Sequence, residues 1–235
     1  MARNAPPRRA RSVGRLLVAK VHLEPGAWNE MASGDRAQLD NPWAMATFLG
    51  QHLARLPEPC LEFLAGHPRG HLVISPGGSH YAEGAQPVGR RVLYDVAFIG
   101  VRELAEAGHG LWRPVGQLLD HLLGCHGEPG GPWLTDGGGI SPLWEEVGRR
   151  LQALFPLGYG VDELTHAHPH FYLAQSLGWY FLDRRRLEAA DPLITRLLRT
   201  TLLDPAFWRR ASSPDGEPDA LRGPKEPPRG YPGRL

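Results

Sequence analysis

One segment restricts the fold more than any other, namely residues 170 to 182 with the sequence HFYLAQSLGWYFL. It is apolar on nearly every side at helical spacing, and Gln175 is its only strongly polar interior residue. A helix that is apolar all round has to be buried. The chain must therefore supply amphipathic elements that cover it. With 235 residues and 42% hydrophobic content, it has enough apolar side chains to build a substantial core.

Amphipathic helices with a common type of start are predicted elsewhere in the chain. Each begins with a polar residue followed by proline, a pair suited to the first turn of a helix. The pairs are Asn41-Pro42, Ser141-Pro142 and Asp191-Pro192. Another amphipathic helix is predicted over residues 112 to 123, with Pro114 in its first turn and Gly124 as its stop.

Two short apolar runs, residues 71 to 75 and residues 91 to 98, are typical of strands. Neither glycine-rich stretch of the chain has the spacing of a phosphate-binding loop. The helices greatly outnumber the strands, so the predicted fold class is α+β, predominantly helical with a small sheet.

Composition at the two ends predicts three regions. Residues 1 to 15 carry five arginines and no acid, which predicts a basic disordered arm. Residues 16 to 210 are predicted to form a single globular domain. In residues 211 to 235, ten of 25 are proline or glycine, which predicts a disordered tail.

Charge, apolar runs and cysteine count exclude several classes of protein. A formal net charge of +1 provides no global attraction for nucleic acid or for a membrane surface, so only the arginine-rich arm could bind nucleic acid. No run is long enough to span a membrane, and no signal peptide is recognisable. Cys60 and Cys125 leave open two free thiols or one disulfide. We expect a cytoplasmic protein with a peptide or protein partner and no membrane partner.

Two segments together resemble a known family of peptidases. Residues 115 to 124, VGQLLDHLLG, are similar to the zinc helix of the anthrax lethal-factor-like metallopeptidases, which include the Pro-Pro endopeptidases. Residues 172 to 177, YLAQSL, followed by Tyr180, Arg186-Leu187 and Pro192, resemble the second helix of that family and the segment after it. The resemblance covers about residues 91 to 203 and implies a zincin-like metallopeptidase fold.

The departures from the family pattern fall on its zinc site. The alignment puts Arg113 at the first zinc histidine, Pro114 at the catalytic glutamate, Gln117 at the second histidine and Gln175 at the third ligand. Arginine cannot ligate zinc, glutamine lacks the charge of glutamate, and proline cannot act as a base. The resemblance therefore implies a degenerate active site with no catalytic residue and no bound metal or cofactor.

The same positions allow two other interpretations. Arg113, Gln117 and Gln175 could face one another and form amide–guanidinium hydrogen bonds across the old cleft, with Asp120, His121 and Tyr172 nearby. Alternatively, the two glutamines are ordinary amides at the edge of the core that bond to nearby backbone.

A second candidate site lies just before the buried helix, where His166, His168 and His170 alternate. Alternating histidines in an extended segment point to the same side and could share a zinc ion, together with His121 or His109.

Three hypotheses of function follow from these patterns. The first is a catalytically inactive pseudo-metallopeptidase that acts as a peptide-binding, protein-binding or scaffold module. The second is a metallohydrolase whose ligands have moved to the histidine cluster. In the third, the arginine-rich arm is the binding element and the folded domain only carries it.

Overall fold

A computed structural model describes residues 8–30, 41–106 and 109–212. Within these residues four strands form one mixed sheet in the order β1-β2-β4-β3. The strands are β1 (Val21–Leu23), β2 (His71–Ser75), β3 (His80–Val88) and β4 (Arg91–Gly100). Strands β1, β2 and β4 are parallel, and β3 runs antiparallel to β4 at one edge.

Helices make up most of the described chain. Helix α1 (Arg8–Lys20) precedes β1. Between β1 and β2 lie α2 (Ala27–Glu30), α3 (Trp43–Leu53) and α4 (Glu58–Gly66), and β4 is followed by α5 (Val101–Glu106) and α6 (His109–Cys125). The later helices are α7 (Pro142–Leu154), α8 (Leu164–Ala167), α9 (Pro169–Leu182), α10 (Arg184–Ala190), α11 (Pro192–Thr200) and α12 (Pro205–Ala211). Short 3-10 turns lie at Leu134–Asp136 and Phe155–Leu157.

The side-chain alternation of the sheet divides the buried residues between two clusters. Leu72 and Ile74 of β2 belong to the main core, which the helices share. Val73, between them in the sequence, belongs to a smaller cluster with Val96 and Phe98 of β4. Successive side chains of a strand point to opposite faces, so the sheet has one face toward the main core and one toward this smaller cluster.

The sequence predicted the main elements well. The strand at residues 71 to 75 has the bounds of β2, and the helix expected at residues 170 to 182 is α9, with Tyr172 to Gly178 buried. Strands β1 and β3 were not predicted. β1 has only three residues, and β3, with the sequence HYAEGAQPV, contains a glycine and a proline that are tolerated because the strand lies at an edge.

The prediction of a disordered arm does not hold for residues 8 to 15, which belong to α1. Ser12 and Leu16 of this helix are buried, and Arg9 donates a hydrogen bond to the carbonyl oxygen of Leu56. A buried stripe on one side of the helix and exposed arginines on the other explain why so basic a segment folds. Residues 1 to 7 and 213 to 235 lie outside the described residues.

Helix α6 is longer than predicted at both ends. Pro114 lies at the sixth position of the helix rather than in its first turn, so the carbonyl oxygen of Gly110 lacks its usual backbone donor. Gly124 lies inside the helix and does not stop it. A Cβ at this position would lie 2.4 Å from the backbone nitrogen of Leu134, so glycine is required here for close packing.

Within the described residues no helix is both long enough and apolar enough to cross a membrane. Cys60 and Cys125 are both free thiols, the first buried and the second partly exposed.

Candidate functional site

Helices α6 and α9 touch at backbone distance. A Cβ placed on Gly116 of α6 would lie 2.6 Å from the Cα atom of Ala174 on α9. Only glycine permits this approach, because any side chain would collide with the backbone of the other helix. The two segments that carry the peptidase resemblance therefore lie side by side, with Gln117 and Gln175 next to the contact point.

The residues at the expected zinc positions do not form one polar cluster. Gln117 and Gln175 are buried, with 9% and 2% of their surface exposed, and Pro114 is buried as well. The Arg113 guanidinium donates a 2.8 Å hydrogen bond to the carbonyl oxygen of Ser79, just before β3. Among the described side chains no hydrogen bond joins Arg113 to either glutamine. The predicted amide–guanidinium network is therefore wrong for this part of the chain.

Asp120, His121 and Tyr172 were expected to line a cleft, but all three are buried. The Tyr172 hydroxyl donates a 2.7 Å hydrogen bond to Asp191, which also caps α11 by accepting from the backbone N–H of Ile194. Tyr172 therefore links the buried helix α9 to the start of α11 and has a structural role.

The rings of His168 and His170 lie 4.5 Å apart, but the three alternating histidines have different hydrogen-bond partners. Nδ1 of His168 accepts from the backbone N–H of His170 and caps α9, while Nε2 of His170 lies 2.9 Å from Asp136. His166 is exposed, and its ring borders Gly160. No group of three His, Cys, Asp or Glu side chains in the described chain is arranged to hold a metal ion.

The residues with the densest polar contacts are, apart from His121, ones that the sequence did not single out. The Tyr81 hydroxyl of β3 lies 2.6 Å from Nδ1 of His121 on α6 and 3.3 Å from a carboxylate oxygen of Asp95 on β4. Asp95 also accepts from the backbone N–H of Gly84 at 3.0 Å and from the Arg69 guanidinium at 3.3 Å. Both Asp95 and His121 have fully buried side chains. We call Arg69, Tyr81, Asp95 and His121 the polar network.

The backbone at Asp95 is held in an unusual conformation. Its φ angle is +58°, in the left-handed region that non-glycine residues rarely adopt and that costs about 1 kcal/mol or more. Gly127, with a φ of +72°, leaves room for the carboxylate, because a Cβ there would lie 2.7 Å from Oδ2 of Asp95. The hydrogen bonds of the network offset this local strain.

The partners of His121 and Tyr81 assign the donors of the network. Nε2 of His121 faces the carbonyl oxygen of Glu128 at 3.3 Å, so it carries a proton. Nδ1 then accepts from the Tyr81 hydroxyl, which lies 2.6 Å away. Tyr81 therefore lies between the imidazole of His121 and the carboxylate of Asp95.

The local environment moves the pKa values of the two acids of the network in opposite directions. Burial raises the pKa of the Tyr81 hydroxyl, and the nearby Asp95 carboxylate raises it further. Burial also raises the pKa of Asp95, but His121, the Gly84 N–H and Arg69 together lower it below its ordinary value. Asp95 is therefore the fixed negative charge of the site.

An aromatic stack closes the network on one side. The Trp133 indole lies between the rings of His121, at a centroid distance of 4.9 Å, and His170, at 3.8 Å with nearly parallel planes. Tyr81 meets the same indole edge-on at 5.5 Å. Burial lowers the pKa of His170 even though Asp136 raises it, so the neutral ring stacks on the indole. The stack leaves the His121 ring without solvent access.

Asp120, adjacent to His121, belongs to a different contact. Its two carboxyl oxygens accept from the backbone N–H of Thr135 at 2.8 Å and from the Thr135 hydroxyl at 2.7 Å. Burial raises the pKa of Asp120 to about 8, although these hydrogen bonds lower it. Near neutral pH the buried side chain is therefore mostly protonated.

The stability of the Asp120→Asn variant should exceed that of the wild type by a margin that grows as the pH rises. An unfolded aspartate ionises near pH 4, whereas folded Asp120 keeps its proton up to a pKa of about 8, so wild-type stability falls between these values. Asparagine retains both partners on Thr135 and cannot ionise. We expect Asp120→Asn to exceed the wild type by about 2 kcal/mol or more at pH 8 in urea unfolding.

The gain should shrink toward pH 4. Glu188→Gln, which removes an exposed carboxylate of α10, is the matched control for the loss of one acidic side chain. A difference between Asp120→Asn and the wild type that stays constant from pH 4 to pH 8 would contradict the elevated pKa.

A sequence signal existed for part of the missed network. Asp95 interrupts the otherwise apolar run of β4, and a lone carboxylate within a buried strand requires buried partners. Its partners come from residues far apart in the sequence, so no local pattern could identify them.

No protein-family model matches this chain, and neither the curated proteins nor the solved structures searched contain a match.

Proposed function

We propose that this protein is a non-catalytic, peptide- or protein-binding module built on a zincin-like, lethal-factor-like peptidase fold. The observation that carries the proposal is the contact of Gly116 with Ala174, which brings together the two helices that a peptidase of this type uses for its metal.

The chemistry of the replaced residues supports binding rather than catalysis. A zinc peptidase needs imidazole and carboxylate ligands and a base beside them. At these positions the chain has Arg113, whose guanidinium is occupied by the Ser79 carbonyl, two buried amides and a proline. None of them binds zinc or deprotonates water.

Strand β3 provides a place where a peptide could bind. It is an edge strand, and an extended peptide can add to such an edge through backbone hydrogen bonds. The pairing of β3 with β4 shifts between Ala82 and Ala85, and such a bulge disrupts regular pairing. The segment His80 to Ala82, beside Arg113, is therefore the part of the edge suited to a peptide.

Peptide binding can be tested with a random decapeptide display library selected on the full chain. We expect an enriched peptide to slow hydrogen exchange at the backbone amides of His80 to Ala82 and to remain uncleaved. Protection elsewhere, with none in β3, would contradict binding at this edge. Cleavage of the peptide would contradict the absence of catalysis.

Restoring the four ligand-site residues tests the fold assignment. We expect the quadruple variant Arg113→His, Pro114→Glu, Gln117→His and Gln175→Glu to bind one zinc ion, because positions 113 and 117 lie one turn apart on α6 and position 175 lies on the adjacent helix. Zinc content after dialysis is the measurement. The triple variant that keeps Gln175 is the control and should bind zinc more weakly. A folded quadruple variant without zinc would overturn the assignment.

Zinc analysis of the untagged wild-type protein separates this proposal from a metallohydrolase with relocated ligands. The proposal expects no stoichiometric zinc. One zinc per chain that is lost in His168→Ala would favour the histidine cluster instead. The two free thiols suit a reducing compartment such as the cytoplasm, where we propose that the module acts.

A further inference from the structure

A large cleft lies away from the polar network and from β3, between helices α1, α4 and α12. Its volume is about 1090 Å³, and its walls include Arg11, Arg15 and Arg209. Trp208 and Phe63 also line it and offer apolar surface. Ligand sites commonly have volumes of roughly 300 to 1,000 Å³, so this cleft can hold a peptide segment rather than a single small anion.

The cleft is positively charged, and several of its arginines have no carboxylate partner among the residues that the structure describes. Four arginines line it against two glutamates, and one of these glutamates, Glu58, faces the Ser12 hydroxyl at 3.4 Å. Within the described residues no carboxylate lies within ion-pair distance of Arg11, Arg15 or Arg209. Arg11 and Arg15 lie one turn apart on α1, so their guanidinium groups can bind the same ligand.

The lining favours a carboxylate-bearing peptide over a nucleic acid. Nucleic acids bind extended basic surfaces, whereas Glu58 and Glu62 interrupt this one. Guanidinium groups bind carboxylates through paired hydrogen bonds, and the aromatic side chains can pack on peptide side chains or proline rings. An acidic peptide matches both the charged and the apolar parts of the cleft.

We propose that this arginine cleft binds an acidic segment of the same chain, residues 214 to 219. Ser212, the last residue that the structure describes, lines the cleft, and the segment that follows, PDGEPD, carries three carboxylates and no cation. This site is independent of the proposed peptidase-like helix pair, since it shares no element with it.

The test is a titration of the full chain with hexaglutamate, in which binding is measured by the change in tryptophan fluorescence. We expect the double variant Arg11→Gln/Arg15→Gln to weaken binding about tenfold, and Arg209→Gln to weaken it as well. The double variant Arg196→Gln/Arg199→Gln removes the same charge from exposed positions on α11, away from the cleft, and should change binding less than about twofold.

A second series tests the occupant. Neutralising the acids of this segment with Asp215→Asn, Glu217→Gln and Asp219→Asn should strengthen hexaglutamate binding, because these acids compete with the added peptide for the cleft. Unchanged binding would overturn the proposal and leave the cleft to a separate acidic partner. Equal losses in the two arginine double variants would overturn the proposal. So would a failure of hexaglutamate to bind while a single-stranded oligodeoxynucleotide binds through Arg11 and Arg15.

Discussion

Replacing Asp95 by alanine should lower the free energy of unfolding by about 3 kcal/mol or more. The carboxylate accepts from Arg69 and from the Gly84 N–H, and it lies 3.6 Å from Nδ1 of His121. Alanine would leave the Gly84 N–H and the Arg69 guanidinium without this buried acceptor. It would also have to adopt a φ near +58°, which an aspartate tolerates better than an alanine.

Two further substitutions, measured by urea unfolding, separate the loss of the carboxylate contacts from the cost of the positive φ. Asp95→Gly also removes the carboxylate but accepts the positive φ, so it should be about 1 kcal/mol more stable than Asp95→Ala. Asp95→Asn keeps an acceptor and a tolerance for that φ, and it should lose less than either. A loss below about 1 kcal/mol in the alanine variant would show that the polar network does not stabilise the fold.

Alanine at Gly116 and alanine at Gly14 should change stability in opposite directions. Both glycines lie inside helices, α6 and α1, where alanine is intrinsically favoured by about 1 kcal/mol. A Cβ on Gly14 meets nothing within 4 Å, so Gly14→Ala should stabilise by about 0.5 to 1 kcal/mol. A Cβ on Gly116 would lie 2.6 Å from Cα of Ala174 and would force α6 and α9 apart.

We expect Gly116→Ala to lower the free energy of unfolding by about 2 to 3 kcal/mol despite its helix propensity, because a clash with backbone cannot be relieved by a side-chain rotation. Chemical denaturation of both variants gives the comparison. A stabilised Gly116→Ala variant would show that the two helices are not in backbone contact. It would also remove the main support for placing positions 117 and 175 in one site.

The separate elements could largely be predicted because their signals are local. The all-apolar helix at residues 170 to 182, the proline starts at Ser141 and Asp191, and the strand at residues 71 to 75 are all found where the pattern places them. Asp191 also caps its helix through its side chain, as its residue type predicts. Ser141 precedes its helix without a side-chain cap, so there the proline alone marked the start.

The predictions were wrong where a local sequence pattern is compatible with two different structures. The arginines of residues 8 to 15 suggested a solvated arm, but a stripe with Ser12 and Leu16 lets the same residues pack as a helix. Pro114 is buried within α6, where the packing of the long helix outweighs the lost hydrogen bond. In such places tertiary contacts decide between alternatives that local preferences leave close in energy.

For the candidate sites, too, some features follow from the sequence and others only from the tertiary structure. The sequence alone determined that the side chains at positions 113, 114, 117 and 175 cannot form the zinc site of a peptidase, because residue identity decides what a side chain can ligate. Only the tertiary structure decided that Asp95, Tyr81, His121 and Arg69 meet in one network, and that arginines of α1 and α12 share a cleft. These groups are distant along the chain, and chain folding alone sets the distances between them.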